Sequence, residues 1–323
     1  MKKMRCKGLC GKPATVHLKY TKLNLCDNHF IEFELNRMVR TIRRFKLISA
    51  SRDKIIVALS GGKDSAALLD MLVTHYNRIE LKYRPKIEAL HLDLGIQDNS
   101  YSKKSHEKAE YLCKLLEIPF HYIDLKKEYD FTLSEIRKDH PDKLRKICSV
   151  CGLIKRYILN RISWELGGTK VATGQLSDDE VSNLMKNLLY NPNELLIRMS
   201  AYLESKNDFK MVSRIKPLYE ITEFETSQYV KIKNLPYILD KCPYSPKKSM
   251  KMKDVMNYLE SKFPNSRYNL MRNFIKYYQP AFKTSIEFKE TNIDKCKKCG
   301  FPTTIEICSF CRLLEKIRSI KEI

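Results

Sequence analysis

The sequence lacks any apolar run that approaches the about 20 residues of a membrane-spanning helix. It also lacks an apolar signal segment after the N-terminal Met-Lys-Lys-Met-Arg-Cys. We therefore expect a soluble, cytoplasmic protein with no membrane partner. In that compartment the eleven cysteines argue against a disulfide framework and favour metal sites or reactive thiols.

Acidic residues are scarce: 38 Asp and Glu stand against 60 Lys and Arg, which leaves a net charge of +22. Such an excess indicates a polyanionic partner, and nucleic acid is the usual one. A generally basic proteome, or adaptation to heat or salt, would produce the same balance. Charge alone therefore leaves RNA binding open.

Residues 54–65 form a phosphate-loop pattern that is not a Walker A motif, because Val57 and Asp64 occupy positions where that motif needs Gly and Ser or Thr. The apolar residues 55–59 predict a buried strand, and a helical pattern begins after Ser65. A glycine-rich turn before a helix binds anions through backbone N–H groups and the helix dipole. A tight turn without a ligand is the alternative.

The surrounding sequence predicts an α/β fold with a doubly wound parallel sheet. Candidate strands are 55–59, 87–92, 120–123 and 170–172, and candidate helices are 64–76, 102–116, 149–166 and 178–189. Nucleotides bind beyond the carboxyl ends of such strands. The predicted nucleotide-binding residues are therefore Ser60, Gly61, Gly62, Lys63, Asp64, Ser65, Asp93 and Gly174.

Further along the chain, residues 215–219 read as an edge strand, 222–233 as a helix and 250–280 as two helices. The expected organisation is an N-terminal zinc module (1–29), a basic helix with its linker (30–53), the catalytic domain (54–246), a helical segment (247–290) and a C-terminal zinc ribbon-like module (291–323).

Two sets of paired cysteines flank this core and have the spacing of tetrahedral zinc sites. The first set is Cys6, Cys10, Cys26 and His29, with residues 16–25 between the pairs as a possible hairpin. The second set is Cys296, Cys299, Cys308 and Cys311. Each set fills all four positions, so we expect structural zinc rather than catalytic zinc.

A basic helix is predicted over residues 30–48, with Phe30, Phe33, Met38, Ile42 and Phe45 as its buried stripe. Arginines dominate the remaining surface. Their alternatives are a solvated face or contact with an RNA backbone. The candidate RNA-binding residues are Arg37, Arg40, Arg43 and Arg44.

Of the remaining cysteines, Cys113 lies within a predicted helix between Leu112 and Leu115 and is assigned to the core. Cys148, Cys151 and Cys242 are an odd set for zinc. Three thiolates on a 4Fe–4S cluster would leave one iron for a non-protein ligand. A persulfide and its resolving thiol are the competing interpretation.

Two further features accompany these thiols. Lys155 follows Cys151 by one helical turn and shares its face. Asp178 and Asp179 open a predicted helix opposite the phosphate loop. N-capping would explain acids at this position, but two of them facing a phosphate site favour a Mg²⁺ or catalytic role.

The combined pattern resembles the TtcA/TtuA family of tRNA 2-thiolation enzymes, which are ATP pyrophosphatases of the PP-loop superfamily. The resemblance covers both zinc sets, the Ser-Gly-Gly-x-Asp-Ser loop, residues 148–157, 174–180 and 216–219, and Cys242-Pro-Tyr. One departure is Gln175-Leu176-Ser177, where the family usually has His-Asn-Leu.

The resemblance implies adenylation of a uridine C2 oxygen by ATP with Mg²⁺, followed by replacement of that oxygen with sulfur. It assigns Cys148, Cys151 and Cys242 to a 4Fe–4S cluster and Lys155, Asp179 and Asp178 to catalysis. It also implies that the substrate is tRNA and that the protein is a homodimer. The implied sulfur donor is either sulfide or a ubiquitin-like sulfur carrier protein. Residues 40–44 and 216–222 favour uridine 54 over wobble uridine 34.

Two other functions remain compatible with the residues. One is a different PP-loop enzyme, such as an amide-forming or lysidine-type ligase, which would not need the three central thiols. The other is a non-catalytic zinc-containing RNA-binding paralogue, which the departure at Gln175 keeps open.

Overall fold

The computed structural model describes residues 4–8, 10–139, 146–190, 193–205, 209–245, 250–285 and 293–321. The chain begins with the predicted hairpin, in which β1 (Val16–Leu18) pairs antiparallel with β2 (Leu23–Leu25). Helix α1 (Asp27–Arg44) follows directly. In the described part of the chain, no helix is long and apolar enough to cross a bilayer.

The centre of the protein is a six-stranded sheet in the order β5-β4-β3-β6-β8-β7. Its strands are β3 (Lys54–Ala58), β4 (Lys86–Asp93), β5 (Phe120–Asp124), β6 (Lys170–Ala172), β7 (Tyr202–Leu203) and β8 (Ser213–Ile215). Only β7 runs antiparallel to its neighbour. The α/β class and the parallel core are therefore confirmed.

The prediction of an edge strand at 215–219 was wrong. Only Ile215 of that range is in a strand, at the end of β8, which lies between β6 and β7. Residues 217–220 form a turn, because Pro217 has no N–H to continue the sheet. The true edge is the two-residue β7, which is too short to produce an alternating pattern in the sequence.

Helices connect the strands and cover the sheet. They are α2 (Lys63–Tyr76), α3 (Tyr101–Leu116), α4 (Leu125–Tyr129), α5 (Leu133–Asp139), α6 (Ile147–Glu165), α7 (Ser177–Tyr190), α8 (Asn193–Ile197), α9 (Glu223–Ile232), α10 (Met250–Lys262), α11 (Ser266–Asn273), α12 (Gln279–Ser285) and α13 (Ser309–Lys321). A π-helical turn, Phe274–Tyr278, joins α11 to α12.

Two apolar cores lie on opposite faces of the sheet, because successive strand residues point to opposite sides. Ile55 and Val57 of β3 pack with the hairpin, α1, α2 and α9. Ile56 packs with the face that α6 and α13 cover. The C-terminal module, with the short hairpin β9 (Asp294–Lys295) and β10 (Pro302–Thr303), docks there through Phe310, which stacks on Tyr157 at 3.9 Å between ring centroids.

Candidate active site and cysteine clusters

The phosphate loop is preformed between β3 and α2. Gly61 has a φ of +77°, and a Cβ there would lie 2.4 Å from the carbonyl oxygen of Ser105, so a side chain is excluded. Ser65 closes the turn: its Oγ accepts the N–H of Ser60 at 3.2 Å and donates to the carbonyl of Gly62 at 2.9 Å. The remaining loop N–H groups stand at the helix N-terminus, where an anion is favoured.

Gly174 brings the end of β6 against this loop. A Cβ at Gly174 would lie 2.9 Å from the backbone carbonyl carbon of Asp64. A larger residue would therefore push the end of β6 away from the start of α2. This contact explains why a glycine follows β6, and it places the segment after β6 beside the phosphate loop, as the sequence predicts.

Carboxylates from α2 and α9 surround the loop lysine. Lys63 Nζ lies 2.7 Å from Asp64 Oδ1 and 3.2 Å from Glu223 Oε1. Thr226 holds Asp64 in place, because its Oγ1 donates to Asp64 Oδ1 at 2.7 Å. The N-terminus of α9 is therefore part of the phosphate site.

A second lysine extends this network to α7. Lys253 Nζ, from α10, lies 2.7 Å from Glu223 Oε2 and 3.4 Å from Asp179 Oδ1. Burial opposes the charge on Lys253, but Glu223 and Asp179 raise its pKa. Burial also opposes ionisation of Glu223, yet Lys253 and Lys63 lower its pKa. The resulting chain of ion pairs runs from Lys63 through Glu223 and Lys253 to Asp179.

The two adjacent aspartates of α7 have different environments. Asp178 is buried, pairs with Arg267 and accepts the backbone N–H of Glu223 at 2.6 Å. Burial raises its pKa, although Arg267 opposes that shift. The side chain of Asp179 is 43% exposed and borders the phosphate loop through Lys253. Asp179 is thus the aspartate that a substrate can reach.

Asp93 stands at the carboxyl end of β4 with both oxygens engaged. Oδ1 accepts the N–H of Gly95 at 2.7 Å, and Oδ2 accepts the hydroxyl of Tyr122 at 3.0 Å. Tyr122 in turn stacks on His91, with 6.2 Å between ring centroids. These contacts shape the end of β4 next to the phosphate loop.

His91 is buried directly behind the phosphate loop. Its Nδ1 donates to the carbonyl of Leu59, the residue before Ser60, at 2.8 Å. Burial lowers the pKa of His91 to about 4, so the ring is neutral at physiological pH. Its Nε2 has no partner among the described residues. Sequence reasoning did not single out His91, because an isolated histidine inside an apolar strand carries no motif.

The central thiols gather at the start of α6. Cys148 Sγ donates to the carbonyl of Tyr244 at 3.1 Å, which ties the segment around Cys242 to α6. Burial raises the pKa of Cys151, while Lys155 acts in the opposite direction and Cys242 reinforces the rise. Burial and Cys242 likewise raise the pKa of Cys148. The structure therefore brings Cys148, Cys151, Cys242 and Lys155 into one site.

This site is joined to the phosphate loop by the backbone. The N–H of Ile238 donates to the carbonyl of Gly61 at 2.8 Å, four residues before Cys242. Lys104 of α3 holds the same segment through Asp240 at 2.9 Å. The loop that binds phosphate and the strap that carries the third thiol are therefore one connected unit.

The N-terminal ligand set is closed and compact. A tetrahedral zinc with Zn–S bonds of about 2.3 Å places its ligand atoms about 3.8 Å apart. Here the Sγ atoms of Cys10 and Cys26 are 3.7 Å apart, and His29 Nδ1 lies 3.4 Å from Cys6 Sγ. Backbone N–H groups of Cys26 and Gly8 lower the pKa of the Cys6 thiol to about 6, which favours the thiolate that a metal requires.

The C-terminal set has the same geometry. The Sγ atoms of Cys299 and Cys308 are 3.7 Å apart. Burial opposes ionisation of the Cys296 thiol. The backbone N–H groups of Cys308, Cys299 and Lys298 outweigh this effect and lower the pKa of Cys296 to about 6. The fourth member, Cys311, is buried beside them.

The central thiols differ from both terminal sets. Within the described ranges, only the terminal sets bring three or more Cys, His, Asp or Glu ligand atoms within 4.8 Å of one another. The central thiols are close enough to interact electrostatically, but their sulfur atoms do not all lie within 4.8 Å of one another. This wider spacing suits a metal–sulfur cluster, which is larger than a single ion.

Arg37, a candidate tRNA ligand, belongs to the protein interior instead. Its side chain is only 11% exposed and binds Glu225, the hydroxyl of Tyr20 and the carbonyl of Glu220. Glu225 also forms the reciprocal cap of α9 with Thr222. Arg37 therefore locks α1 onto the start of α9, and most of its side chain is shielded from solvent.

The other three arginines of this helix, Arg40, Arg43 and Arg44, are exposed. Arg44 pairs with Glu220 at 2.6 Å, in a position where its side chain stays partly in solvent. A row of exposed guanidinium groups one helical turn apart can follow a phosphodiester backbone. The structure thus separates the surface arginines from the buried one.

Comparison with known proteins defines the class. Residues 32–249 match the model of the PP-loop domain family, and residues 5–31 match the N-terminal LIM domain of the 2-thiouridine synthetase TtuA. The fold and the phosphate site therefore define a PP-loop protein flanked by cysteine-rich modules.

The relatives narrow this class. The tRNA-5-methyluridine(54) 2-sulfurtransferase of Pyrococcus horikoshii is 38% identical over 96% of this chain and 93% of its own length. The enzyme of the same name from Thermus thermophilus is 33% identical over 97% of this chain and 92% of its own. The U34-tRNA thiolase NcsA from Methanococcus maripaludis, solved with its 4Fe–4S cluster, is 27% identical with a TM-score of 0.77, and the match covers 98% of this chain and 97% of that one. The chain belongs to the TtcA/TtuA family of tRNA sulfurtransferases.

Proposed function

We propose that this protein is an ATP-dependent tRNA-uridine 2-sulfurtransferase that acts on uridine 54. The observation that supports it most is the hydrogen bond from Ile238 to Gly61, since it couples the phosphate loop to the strap that carries Cys242. A ligase that uses ATP alone would need no thiols beside its phosphate loop. A non-catalytic RNA-binding paralogue would need neither the phosphate loop nor the thiols.

In the first step, the loop N–H groups and Lys63 neutralise the β- and γ-phosphates of ATP. The uridine C2 oxygen attacks the α-phosphorus and pyrophosphate leaves, so that a poor leaving oxygen becomes part of AMP. Asp179 would bind the accompanying Mg²⁺ or accept the proton, and its exposure relative to Asp178 supports this role. Asp178 positions α7 through Arg267 and Glu223.

In the second step, a sulfur nucleophile displaces AMP from C2. Lys155 shares a helical face with Cys151, where its ammonium group stabilises negative charge on the leaving oxygen and on the thiolates. His91 stays neutral behind the loop and orients it through Leu59. The strap from Ile238 to Cys242 keeps the thiols next to the loop during both steps.

Cys148, Cys151 and Cys242 would hold the 4Fe–4S cluster, which supplies an iron with an open position for sulfur when it is bound. The thiols fit this group, since they share one site and are spaced more widely than the terminal ligand sets. The terminal sets fit zinc, because each offers four ligands at tetrahedral spacing. Both zinc ions would be structural.

The choice of uridine 54 is supported by the two relatives above, whose names specify that position. Wobble uridine 34 is the second candidate, since the NcsA structure superposes over nearly the whole chain. Sulfide or a ubiquitin-like carrier would supply the sulfur, and the working form would be a cytoplasmic homodimer.

The deciding experiment is mass spectrometry of tRNA nucleosides, mapped by position, from cells with and without this protein. We expect 2-thiouridine derivatives at position 54 to disappear. Loss at position 34 would assign the enzyme to the second candidate. Unchanged thiolation, with no tRNA-dependent release of pyrophosphate by the purified protein, would refute the proposal.

A further inference from the structure

A cavity of about 420 Å³ lies between the N-terminal hairpin, α1, the start of α9 and the α10–α11 pair. We call it the hairpin cavity. The hairpin contributes Lys19 and Tyr20, α9 contributes Phe224, and α11 contributes Tyr268 and Arg272. Its size is that of a small-molecule or nucleotide site. None of the catalytic roles proposed above uses it.

The charges around the hairpin cavity favour an anionic ligand. Its carboxylates are already engaged: Glu220 pairs with Arg44 at 2.6 Å, and Glu260 accepts the backbone N–H of Asn265 at 2.9 Å. Lys19 and Arg272 line the same cavity and form no ion pair with any residue that the structure describes. Two cations therefore remain for an incoming phosphate.

Two aromatic rings at the hairpin cavity lie open to solvent. Phe224 is 51% exposed and Tyr268 is 48% exposed. Exposed aromatic rings beside unpaired cations are the usual platform for an unstacked base, whose edges are then read by polar side chains. Asn257 and Asn265 supply such groups in the same wall.

The hairpin cavity is adjacent to the active site. Phe224 directly follows Glu223, which contacts Lys63 of the phosphate loop. Ser177, in the cavity wall, lies two residues before Asp179. Since consecutive Cα atoms are about 3.8 Å apart, an RNA whose uridine reaches Asp179 passes close to this cavity.

We propose that the hairpin cavity binds an unpaired nucleotide of the substrate tRNA, close in space to the target uridine. The base stacks against Tyr268 and Phe224, and its phosphate pairs with Arg272 and Lys19. This inference rests on the proposed function for the identity of the RNA. It assigns the N-terminal hairpin and α11 to substrate selection.

The test compares Tyr268→Ala, Phe224→Ala and Arg272→Ala with Tyr258→Ala. Tyr258 is a matched control, because it lies on α10, is 66% exposed and does not line the cavity. We expect Tyr268→Ala and Phe224→Ala each to raise the Kd for tRNA by about tenfold at fixed salt, the scale of one lost base–aromatic stack. Arg272→Ala should also raise the Kd and should reduce its salt slope by about one, because it removes a phosphate contact. Thermal unfolding and metal content establish that each variant is folded.

A second measurement identifies the occupant. tRNAs that carry 2-aminopurine at single unpaired positions should show quenching at one position, which Tyr268→Ala abolishes and Tyr258→Ala preserves. Tight binding of free AMP that depends on Tyr268, with no effect of Tyr268→Ala on tRNA, would make this a free-nucleotide site and overturn the inference. Cavity variants that bind tRNA as well as Tyr258→Ala does would overturn it too.

Failure of the cavity proposal can be distinguished from failure of the proposed function. A wild-type protein that makes no 2-thiouridine, yet loses tRNA affinity in Tyr268→Ala, would refute the thiolation proposal and support the cavity. Normal thiolation together with unchanged tRNA binding in all three cavity variants would do the reverse.

Discussion

Lys253 of α10 and Glu223 of α9 form an ion pair of 2.7 Å at the phosphate loop. The other oxygen of Glu223 lies 3.2 Å from Lys63 Nζ. One carboxylate therefore holds two cations beside the site where the triphosphate binds. The C-terminal helical segment, which connects the strap of Cys242 to the rest of the chain, thereby takes part in the ATP site.

We predict that Lys253→Met raises the KM for ATP by about tenfold. The substitution leaves Glu223 and Asp179 without a shared cation, so their charges repel the triphosphate. The measurement is tRNA-dependent pyrophosphate release at varied ATP concentration. Lys253→Arg should recover most of the affinity, and Lys262→Met, on the same helix, is the control. Equal KM values for both methionine variants would contradict the role.

Cys242→Ala should remove iron and sulfide from anaerobically purified protein while leaving the zinc content unchanged. A cluster that loses one of its three thiolates is no longer held, whereas the terminal ligand sets keep all their members. Cys113→Ala is the control, since Cys113 is buried in α3 away from these ligands. The measurement is elemental analysis beside a thiolation assay with added sulfide, and full thiolation by Cys242→Ala would rule out the three-thiol site.

Arg37→Met should lower the free energy of unfolding by about 3 kcal/mol, the cost of breaking a buried ion pair. The substitution leaves Glu225 and Glu34 without their cation in the interior, where burial already raises the pKa of Glu34. Urea unfolding measures the loss. If Arg37→Met were as stable as wild type but bound tRNA more weakly, Arg37 would be an RNA-binding residue and not a structural one.

The triple variant Arg40→Glu, Arg43→Glu and Arg44→Glu should raise the KM for tRNA. Phosphate contacts are independent of sequence, so the loss should affect all tRNA species alike, and each lost contact should reduce the salt slope by about one. ATP binding without tRNA should persist, because Arg43 lies beside His75 and Tyr76, at the opposite end of α2 from the phosphate loop. Normal tRNA binding with lost ATP binding would instead make α1 a brace for the core.

His91 should make the protein less stable in mild acid. Its pKa is lowered from 6.5 to about 4 by burial, so between those values the unfolded chain binds a proton that the folded protein does not. Above pH 6.5 the buried His91 ring is neutral in both states and lowers stability little. By pH 5 the free energy of unfolding should be about 2 kcal/mol lower. Urea unfolding of His91→Asn should show a smaller loss over this range, while the exposed His17→Asn should behave as wild type.

Local patterns predicted the parts of the fold that depend on local chemistry. The phosphate loop, the four parallel strands and the hairpin between the first cysteine pairs all carry their signal within a dozen residues. β7 escaped prediction because two residues cannot show a period, and so the edge was assigned to residues 215–219 instead.

The site was predictable only where its residues form motifs. Lys155 and Asp179 follow recognisable neighbours, but Lys253 acts through Glu223 and Asp179 on distant helices. Arg37 looks like its exposed neighbours in the sequence, and its burial is decided by Glu225, which lies 188 positions further along the chain. Such pairings depend on how α1, α7, α9 and α10 pack together.

The stack of Phe310 on Tyr157 connects the C-terminal cysteine set to the helix that carries two of the central thiols. Phe310 lies between Cys308 and Cys311, and Tyr157 is on α6, the helix that carries Cys148 and Cys151. With zinc in the C-terminal set and iron in the central one, loss of zinc would weaken the packing of Phe310 against α6. The iron ligands on α6 would then be less firmly held, even when iron is plentiful. The sulfur content of tRNA would then follow whichever metal is scarcer.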